Sequence, residues 1–427
     1  LTYFREFRLN WTTLLGAMLG LALGSAMNHY MTNLFAPELI AEFGWDKAQF
    51  ALVGTLGLAS MFVVPFWGRF ADRHGARLSA AIGFVAVPLS FLAFSLMRGN
   101  IYEFFAITVF QHLFGVLTTT LVFSRVIVQR FDLARGMALS VLMSGAPLVG
   151  AIVVPLVGEV IDAQGWRTGY RLLAMISAIG GIVAVTLVGR RPKGGAAAPE
   201  RNAQRLTRAQ FAALLRHPAF ILIVAGMFFC NVPTVIVSSQ FKLVLIESGA
   251  PGKLATWLVS LYAVGVVVGR FLSGLALDKV SAQTVALAAL GLPAIGFLIL
   301  ASPAEHPWLL AGAVLLIGLA QGAEGDIGAY LTSRTFDIAN FSLIYSFLIA
   351  SMGLAGAVGS VLLSMTLGAT DRFDMFLIIA AALTIVGALC FFMTGRGGKP
   401  QPSEIMPEMI APSLRYSEKS SNDRTLP

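Results

Sequence analysis

Gly68-Arg69-Phe70-Ala71-Asp72-Arg73-His74-Gly75-Ala76-Arg77 decides how this chain is read. It joins one apolar run, 49–68, to the next, 78–97. A worn copy, Gly274-Leu275-Ala276-Leu277-Asp278-Lys279, joins the runs 254–276 and 284–302, 206 residues further on. Two other stretches repeat at nearly the same offset. Phe131-Asp132-Leu133-Ala134 returns as Phe336-Asp337-Ile338-Ala339, and Leu148, Gly150 and Ala151 return as Leu354, Gly356 and Ala357. One such match in a Gly-rich apolar chain is no more than chance. Three at one offset, all in equivalent loops and runs, mark a duplication.

Composition says what was duplicated. Of the 427 residues 57% are hydrophobic and only 12% are charged, where a soluble domain carries about 25% charge. That is too little charge to coat a soluble core, which excludes a soluble enzyme and a disordered chain. Two cysteines cannot staple a secreted disulfide scaffold. Twelve apolar runs lie at 12–35, 49–68, 78–97, 103–125, 136–158, 168–188, 220–243, 254–276, 284–302, 308–332, 341–367 and 373–395. Each is near the ~20 residues a helix needs to cross the hydrocarbon core. They lack the alternation of a membrane barrel, and their glycines permit close helix packing in lipid. The first run is too polar near its end for a cleaved signal peptide. The predicted fold is all-α integral membrane, with twelve transmembrane helices in two pseudo-symmetric six-helix bundles.

With the N-terminus placed in the cytoplasm and sides alternating, most of the 30 Lys and Arg fall in cytoplasmic segments, while Asp and Glu divide evenly. The basic bias sets orientation. Both termini are therefore expected in the cytoplasm, and the chain in the inner (plasma) membrane of the cell. The net charge of +8 is then topology and not a nucleic-acid surface. Residues 1–188 read as an N-terminal half, 189–218 as a cytoplasmic linker, 219–395 as a C-terminal half and 396–427 as a disordered tail. In the linker, Thr207 and Gln210 have the capping-box spacing. Phe211, Leu214 and Leu215 share a face beside Arg205, Arg208 and Arg216, which predicts a short surface helix over 207–216. Two six-helix halves around a midplane site is the plan of a secondary transporter.

Charges inside the runs are the candidate machinery. Arg270 lies eight residues before Asp278, about 12 Å along the helix from the loop. A charge at that depth is costly unless paired or hydrated, and marks a function by default. Arg stays protonated and can grip a carboxylate with two parallel hydrogen bonds. A structural ion pair with Glu324 or Asp326 is the plainer alternative. Those two acids lie about 12–15 Å above Arg334 but face about 200° apart, so only one turns easily to a central cavity, and Glu324 is favoured. A carboxyl balanced between burial and a nearby Arg can carry a coupling proton. His112, near mid-depth in the fourth run, titrates in the range a relay needs, though a lone His also serves packing.

Asn28, His29, Tyr30 and Asn33 form a polar patch on the first run, and Asn231, Ser238, Ser239 and Gln240 another on the seventh. The duplication pairs these runs, so both patches line a substrate cavity or else bond helix to helix. Arg125 and Arg334 close the fourth and tenth runs, where they could pair with Asp72 and Asp278, or with Asp132 and Asp337, as a gate. Gly145-x-Pro147-x-x-Gly150 marks a bendable fifth run. No Walker A, His-Glu-x-x-His or Gly-x-Ser-x-Gly pattern occurs, so ATP-driven pumping and common hydrolytic chemistry lack support. Neither enzymatic activity, cofactor nor metal is expected.

Gly68, Asp72, Arg73, Gly75 and Arg77, with Ala76 where another basic residue is common, resemble the signature of the major facilitator superfamily. The resemblance covers residues 1–395. It implies alternating access about a midplane site, with Gly68, Asp72, Arg73, Arg77 and Asp278 in the latch that closes one side. A narrower resemblance is to the monocarboxylate-transporter and oxalate:formate-antiporter-like branch. It rests on Tyr30 to Trp45, on Arg130 to Ser140, on Gly318 to Asp326 with Arg334, Phe336 and Asp337 after it, and on Gly165-Trp166-Arg167. Members of that branch move small organic anions with a proton or in exchange. In them an Arg on the eighth span binds the substrate carboxylate, and Arg270 is the matching position.

The chain departs from that branch in three places. Val266 stands where proton-linked members have an Asp, the first run holds no Lys or Arg, and the eleventh holds none either. One central cation suits a monoanion better than a dicarboxylate. The expected function is a secondary carrier, working as a monomer in the bilayer. Its substrate is a small organic anion, a monocarboxylate, coupled to protons or a counter-anion. A proton-driven exporter of drugs or other amphiphiles is the alternative.

Overall fold

The computed structural model describes residues 3–189, 208–303, 306–336 and 341–394, a bundle of helices with no strand among them. Eleven helices are long and apolar enough to cross a membrane, and a bent pair makes a twelfth span. That pair, α1 (Tyr3–Leu23) and α2 (Asn28–Phe43), bends by 49°. Gly24 sits at the bend, where a Cβ would lie 2.4 Å from Thr118 Oγ1. The second span is α3 (Lys47–Ala51) and α4 (Leu58–His74), the third α5 (Ala76–Ser95), and the fourth α6 (Ile101–Gly115) and α7 (Thr120–Arg130). The fifth is α8 (Arg135–Gln164) and the sixth α9 (Trp166–Val188). After the short α10 (Arg208–Arg216), the seventh span is built from α11 (Pro218–Asn231), α12 (Thr234–Ser239) and α13 (Phe241–Glu247). The last five are α14 (Gly252–Leu277), α15 (Ala282–Ala301), α16 (Pro307–Thr335), α17 (Phe341–Thr370) and α18 (Asp374–Met393).

The helices overrun the apolar runs. The signature motif, expected in a loop, is instead the last turns of α4, which end where Gly75 takes φ +85°. Left-handed backbone there suits glycine and no side chain. The breaks in the first, second, fourth and seventh spans have no counterpart in a hydropathy reading, because 3-10 turns and Pro233 interrupt the hydrogen-bond ladder without making the segment polar. The linker helix begins at Arg208, and its Phe211 ring lies 6.2 Å from that of Phe347 on α17. Arg205, Thr207, Asp337 and the tail 396–427 lie outside the described residues, as does the capping box.

Packing differs between the two ends of the bundle. Away from the signature motif, one buried cluster runs through both halves. Trp45, Phe50, Phe104 and Trp166 from the first six spans join Phe241, Leu245, Leu258 and Phe373 from the last six. At the motif end there are two clusters. Leu14, Phe123, Phe131 and Leu142 pack in one half, and Ile223, Leu290, Leu331 and Leu348 in the other. The halves are thus plugged together at one end and packed separately at the other. The site lies between these ends.

Candidate functional site

Glycines bring the central charges together. A Cβ on Gly269 would lie 2.0 Å from the Leu319 carbonyl oxygen, and one on Gly322 would lie 2.0 Å from that of Val266. Only glycine allows α14 and α16 to touch backbone to backbone in this way. Arg270 follows Gly269, and Asp326 lies one turn beyond Gly322. The close crossing therefore sets a cation on one helix against an acid on the next. Arg270 Nε stands 3.6 Å from Asp326 Oδ2, an ion pair beyond hydrogen-bond length. Arg270 Nε and Nη1 are buried and have no hydrogen-bond partner among the described residues.

A buried donor left unsatisfied costs about 1–3 kcal/mol, and more when charged. The Arg270 side chain is 19% exposed and that of Asp326 is 44% exposed, so the acid lies on the wetter side of the pair. Tyr30 on α2 and Tyr345 on α17 lie within electrostatic reach of Arg270. Groups of both halves thus feel the charge of the guanidinium. Each edge of the guanidinium thus holds one buried donor without a partner among the described residues.

The sequence favoured Glu324 slightly over Asp326 as the acid to carry a proton, and in the structure the acid beside Arg270 is Asp326. Glu324 is 3% exposed and points into the second half. It accepts a hydrogen bond from Asn231 Nδ2 and another, at 3.2 Å, from Gln321 Nε2. Beside it lies a cavity of about 30 Å³ lined by Cys230, Thr234, Gln321 and Thr384, large enough for a water. The 200° between the two acids holds. What periodicity could not say is which of them the glycine-mediated crossing would turn toward Arg270.

The polar patches divide in the same way. Asn231 also donates to the Met227 carbonyl, so its bonds stay inside the second half. Asn28 donates to Gln111 within the first half. Asn33 is buried and donates to the Tyr30 carbonyl. Gln240, wholly buried, donates to the Lys47 carbonyl at 3.0 Å and so belongs to the plug. His29 and Tyr30 do meet the other half. His29 Nε2 lies 3.4 Å from Tyr262 Oη, and the Tyr30 ring is 6.2 Å from that of Tyr262. His112 is half-buried and makes no hydrogen bond among the described residues.

At the motif end, Arg125 Nη1 lies 2.6 Å from Asp72 Oδ1 and donates to the Gly68 carbonyl at 3.1 Å. Of the two partners open to Arg125 in the sequence, Asp72 is the one it takes. Asp132 pairs instead with Arg135, at 3.1 Å. Arg73, Arg77 and Asp278 are exposed, and Asp278 has no ion pair among the described residues. Arg334 donates to Tyr330 Oη at 3.2 Å and stacks over the same ring. Sequence reasoning missed Tyr262 and Tyr345, and also Lys242, which is buried in the plug. The signal for Tyr262 was available, since it precedes Arg270 by eight residues on one helix. Apolar-run counting treats such a ring as filler.

Comparison with known proteins agrees with this architecture. Monocarboxylate transporter 4 of Rattus norvegicus is 24% identical over 402 residues, which cover 89% of this chain and 82% of that one. The Agnestins efflux protein AgnL12 of Paecilomyces divaricatus is 23% identical over 350 residues, 79% of this chain and 75% of its own. The crystal structure of the nucleoside transporter NupG superposes with a TM-score of 0.73 at 14% identity, over 90% of this chain and 98% of that one. At that identity it shows the fold alone. The Major Facilitator Superfamily model matches residues 18–250 and 235–414. A chain of twelve apolar spans, matched almost end to end by that model, belongs to the major facilitator superfamily and is a multi-pass membrane transporter.

Proposed function

We propose that this transporter is a secondary carrier of a small organic anion, a monocarboxylate, working as a monomer by alternating access. The observation that carries the reading is Arg270. Its guanidinium has two buried donors idle and is held only loosely by Asp326. A substrate carboxylate can take one edge of the guanidinium, Nε with Nη2 or Nη1 with Nη2, in two parallel hydrogen bonds. It then competes with Asp326 for the same cation. An acid displaced from its cation in a half-buried site gains a proton more readily, so substrate and proton load together. In this assignment Asp326 is the coupling acid, while Glu324 is held by amides and His112 stands apart. Exchange of one anion for another needs only that the carboxylates swap at Arg270 while Asp326 keeps its charge.

His29 and Tyr30 of the first half meet Tyr262 of the second, so this contact registers whether the halves are closed together. The motif end, with its parted clusters and its Arg125–Asp72 pair, faces the cytoplasm of the plasma membrane in this reading. Support comes from the Lys and Arg bias. The conformation is then open inward and plugged outward.

A second reading, export of larger amphiphiles, is favoured by the likeness to an efflux protein. Arg270→Ala separates the two in reconstituted vesicles. The anion reading expects uptake of a labelled monocarboxylate to vanish. Retained carboxylate uptake, or a cationic drug moved equally by both forms, supports the exporter.

A further inference from the structure

Four arginines line one cavity at the motif end. Arg73 lies in the last turn of α4, Arg77 in the first turn of α5, and Arg125 and Arg130 on α7. The cavity measures about 940 Å³, near the top of the ~300–1,000 Å³ usual for small-molecule sites. All of its lining comes from the first half, so it is distinct from the surroundings of Arg270. α4 ends at His74 and α5 begins at Ala76, so Gly75 alone turns the chain, at φ +85°. Arg73 and Arg77 thus reach one cavity from two helices.

The charges there are unequally answered. Asp72 is the one acid in the lining, and Arg125 already pairs with it at 2.6 Å. His74 turns Nδ1 back to the Phe70 carbonyl, 3.1 Å away. Arg73 and Arg77 are exposed and make neither a hydrogen bond nor an ion pair among the described residues. Like charges in one cleft focus a positive field and concentrate anions within it. The Lys and Arg bias that orients a membrane protein asks for basic residues on one side, but not for four in one cavity. The duplicated positions make the contrast. With the same offset of 206, Arg73 is matched by Lys279 and Arg77 by Gln283.

We propose that this cavity binds a phosphoryl anion through the guanidinium groups of Arg73 and Arg77. A planar fork of donors matches phosphate oxygens in pairs. Much of the remaining lining is apolar, with Leu78 of α5, Val122 and Val126 of α7, and Val185 and Val188 of α9. Such walls suit an anion that carries a chain, which is the chemistry of an anionic phospholipid. A free phosphate shares the headgroup chemistry alone. The inference rests on neither the transported substrate nor the coupling acid.

The test reads the melting midpoint of the full chain in a non-ionic detergent against added dioleoylphosphatidylglycerol, dioleoylphosphatidylcholine or inorganic phosphate. The expected result is a saturable rise with phosphatidylglycerol and none with phosphatidylcholine. A rise with phosphatidylglycerol alone assigns the site to the lipid, one with phosphate alone to a soluble anion, and one with both to the phosphoryl group itself. Arg73→Gln with Arg77→Gln should raise the half-maximal concentration of the active probe about thirtyfold, which corresponds to roughly 2 kcal/mol for two basic side chains. Arg216→Gln with Lys279→Gln removes as much exposed charge outside the cavity and should stay within about twofold. Arg77→Gln alone, expected about fivefold weaker, provides a second reading should the double variant fold poorly. No saturable rise with phosphatidylglycerol or phosphate, an equal rise with phosphatidylcholine, or an equal loss in both double variants overturns the proposal. So does unchanged binding in Arg77→Gln.

Discussion

Replacing Asp326 with Asn removes the competitor for Arg270 while keeping the size of the side chain. At 3.6 Å and an effective dielectric of about 20, the gross attraction between the two charges is roughly 4–5 kcal/mol. Most of that does not survive. Asp326 is 44% exposed, so solvent screens it, and exposed pairs retain no more than about 1 kcal/mol. Arg270 lies deeper, so a net value near 1.4 kcal/mol, a factor of about ten, is the working figure. Asp326→Asn is therefore expected to lower the half-saturating carboxylate concentration about tenfold. It should also remove the proton requirement, since no acid remains to be neutralised. The assay is reconstituted transport in two modes, counterflow between equal pH on both sides and accumulation under an imposed gradient. Counterflow should survive in the mutant, at higher affinity and with a flat pH profile, while gradient-driven accumulation is lost. Accumulation that persists in Asp326→Asn would refute the coupling role. Loss of counterflow with the folded protein intact would refute the competition.

The other predictions follow from the same geometry. Glu324→Gln keeps a group that Asn231 can bond, so gradient-driven accumulation should stay within about threefold of the parent; measured beside Asp326→Asn, it assigns the coupling acid. Arg270→Lys keeps the charge but loses the two-donor fork, and carboxylate affinity should fall roughly tenfold by initial-rate uptake. Gly269→Val drives a side chain into the Leu319 carbonyl. It should destabilise the protein by at least the roughly 1–3 kcal/mol of ordinary overpacking, seen as a lower melting midpoint in detergent. Asp72→Asn breaks a pair whose acid is 65% exposed. Transport should change by less than about fivefold, and a complete loss would give Asp72 a larger role than a latch.

Much of the fold could be read from the chain because membrane spans are written in composition. Lipid offers the backbone no partner, so each crossing must be an apolar helix, and the duplicated Gly68 and Gly274 motifs fixed the two-half plan. The kinks at Gly24 and Pro233 were hidden, since a broken span is as apolar as a straight one. The depth of Arg270 followed from counting residues back from Asp278. Its partner did not, because Glu324 and Asp326 differ only in which face the Gly269–Gly322 crossing selects. Gln240 and Lys242 looked like cavity lining or nothing at all. Their burial in the plug depends on how the two halves meet, which no local pattern records. Asn231 read equally well as a ligand or as a bond between helices, and its partner Glu324 lies 93 positions away.

Accumulation of labelled monocarboxylates in proteoliposomes, with and without an imposed pH gradient, tests the central claim most directly. The account predicts that one small monocarboxylate concentrates inside when protons flow inward, or exchanges against internal anion, and that neither occurs with Arg270→Ala. If correctly inserted protein moves no carboxylate in either mode, Arg270 is not a carboxylate site and the anion-carrier reading is wrong.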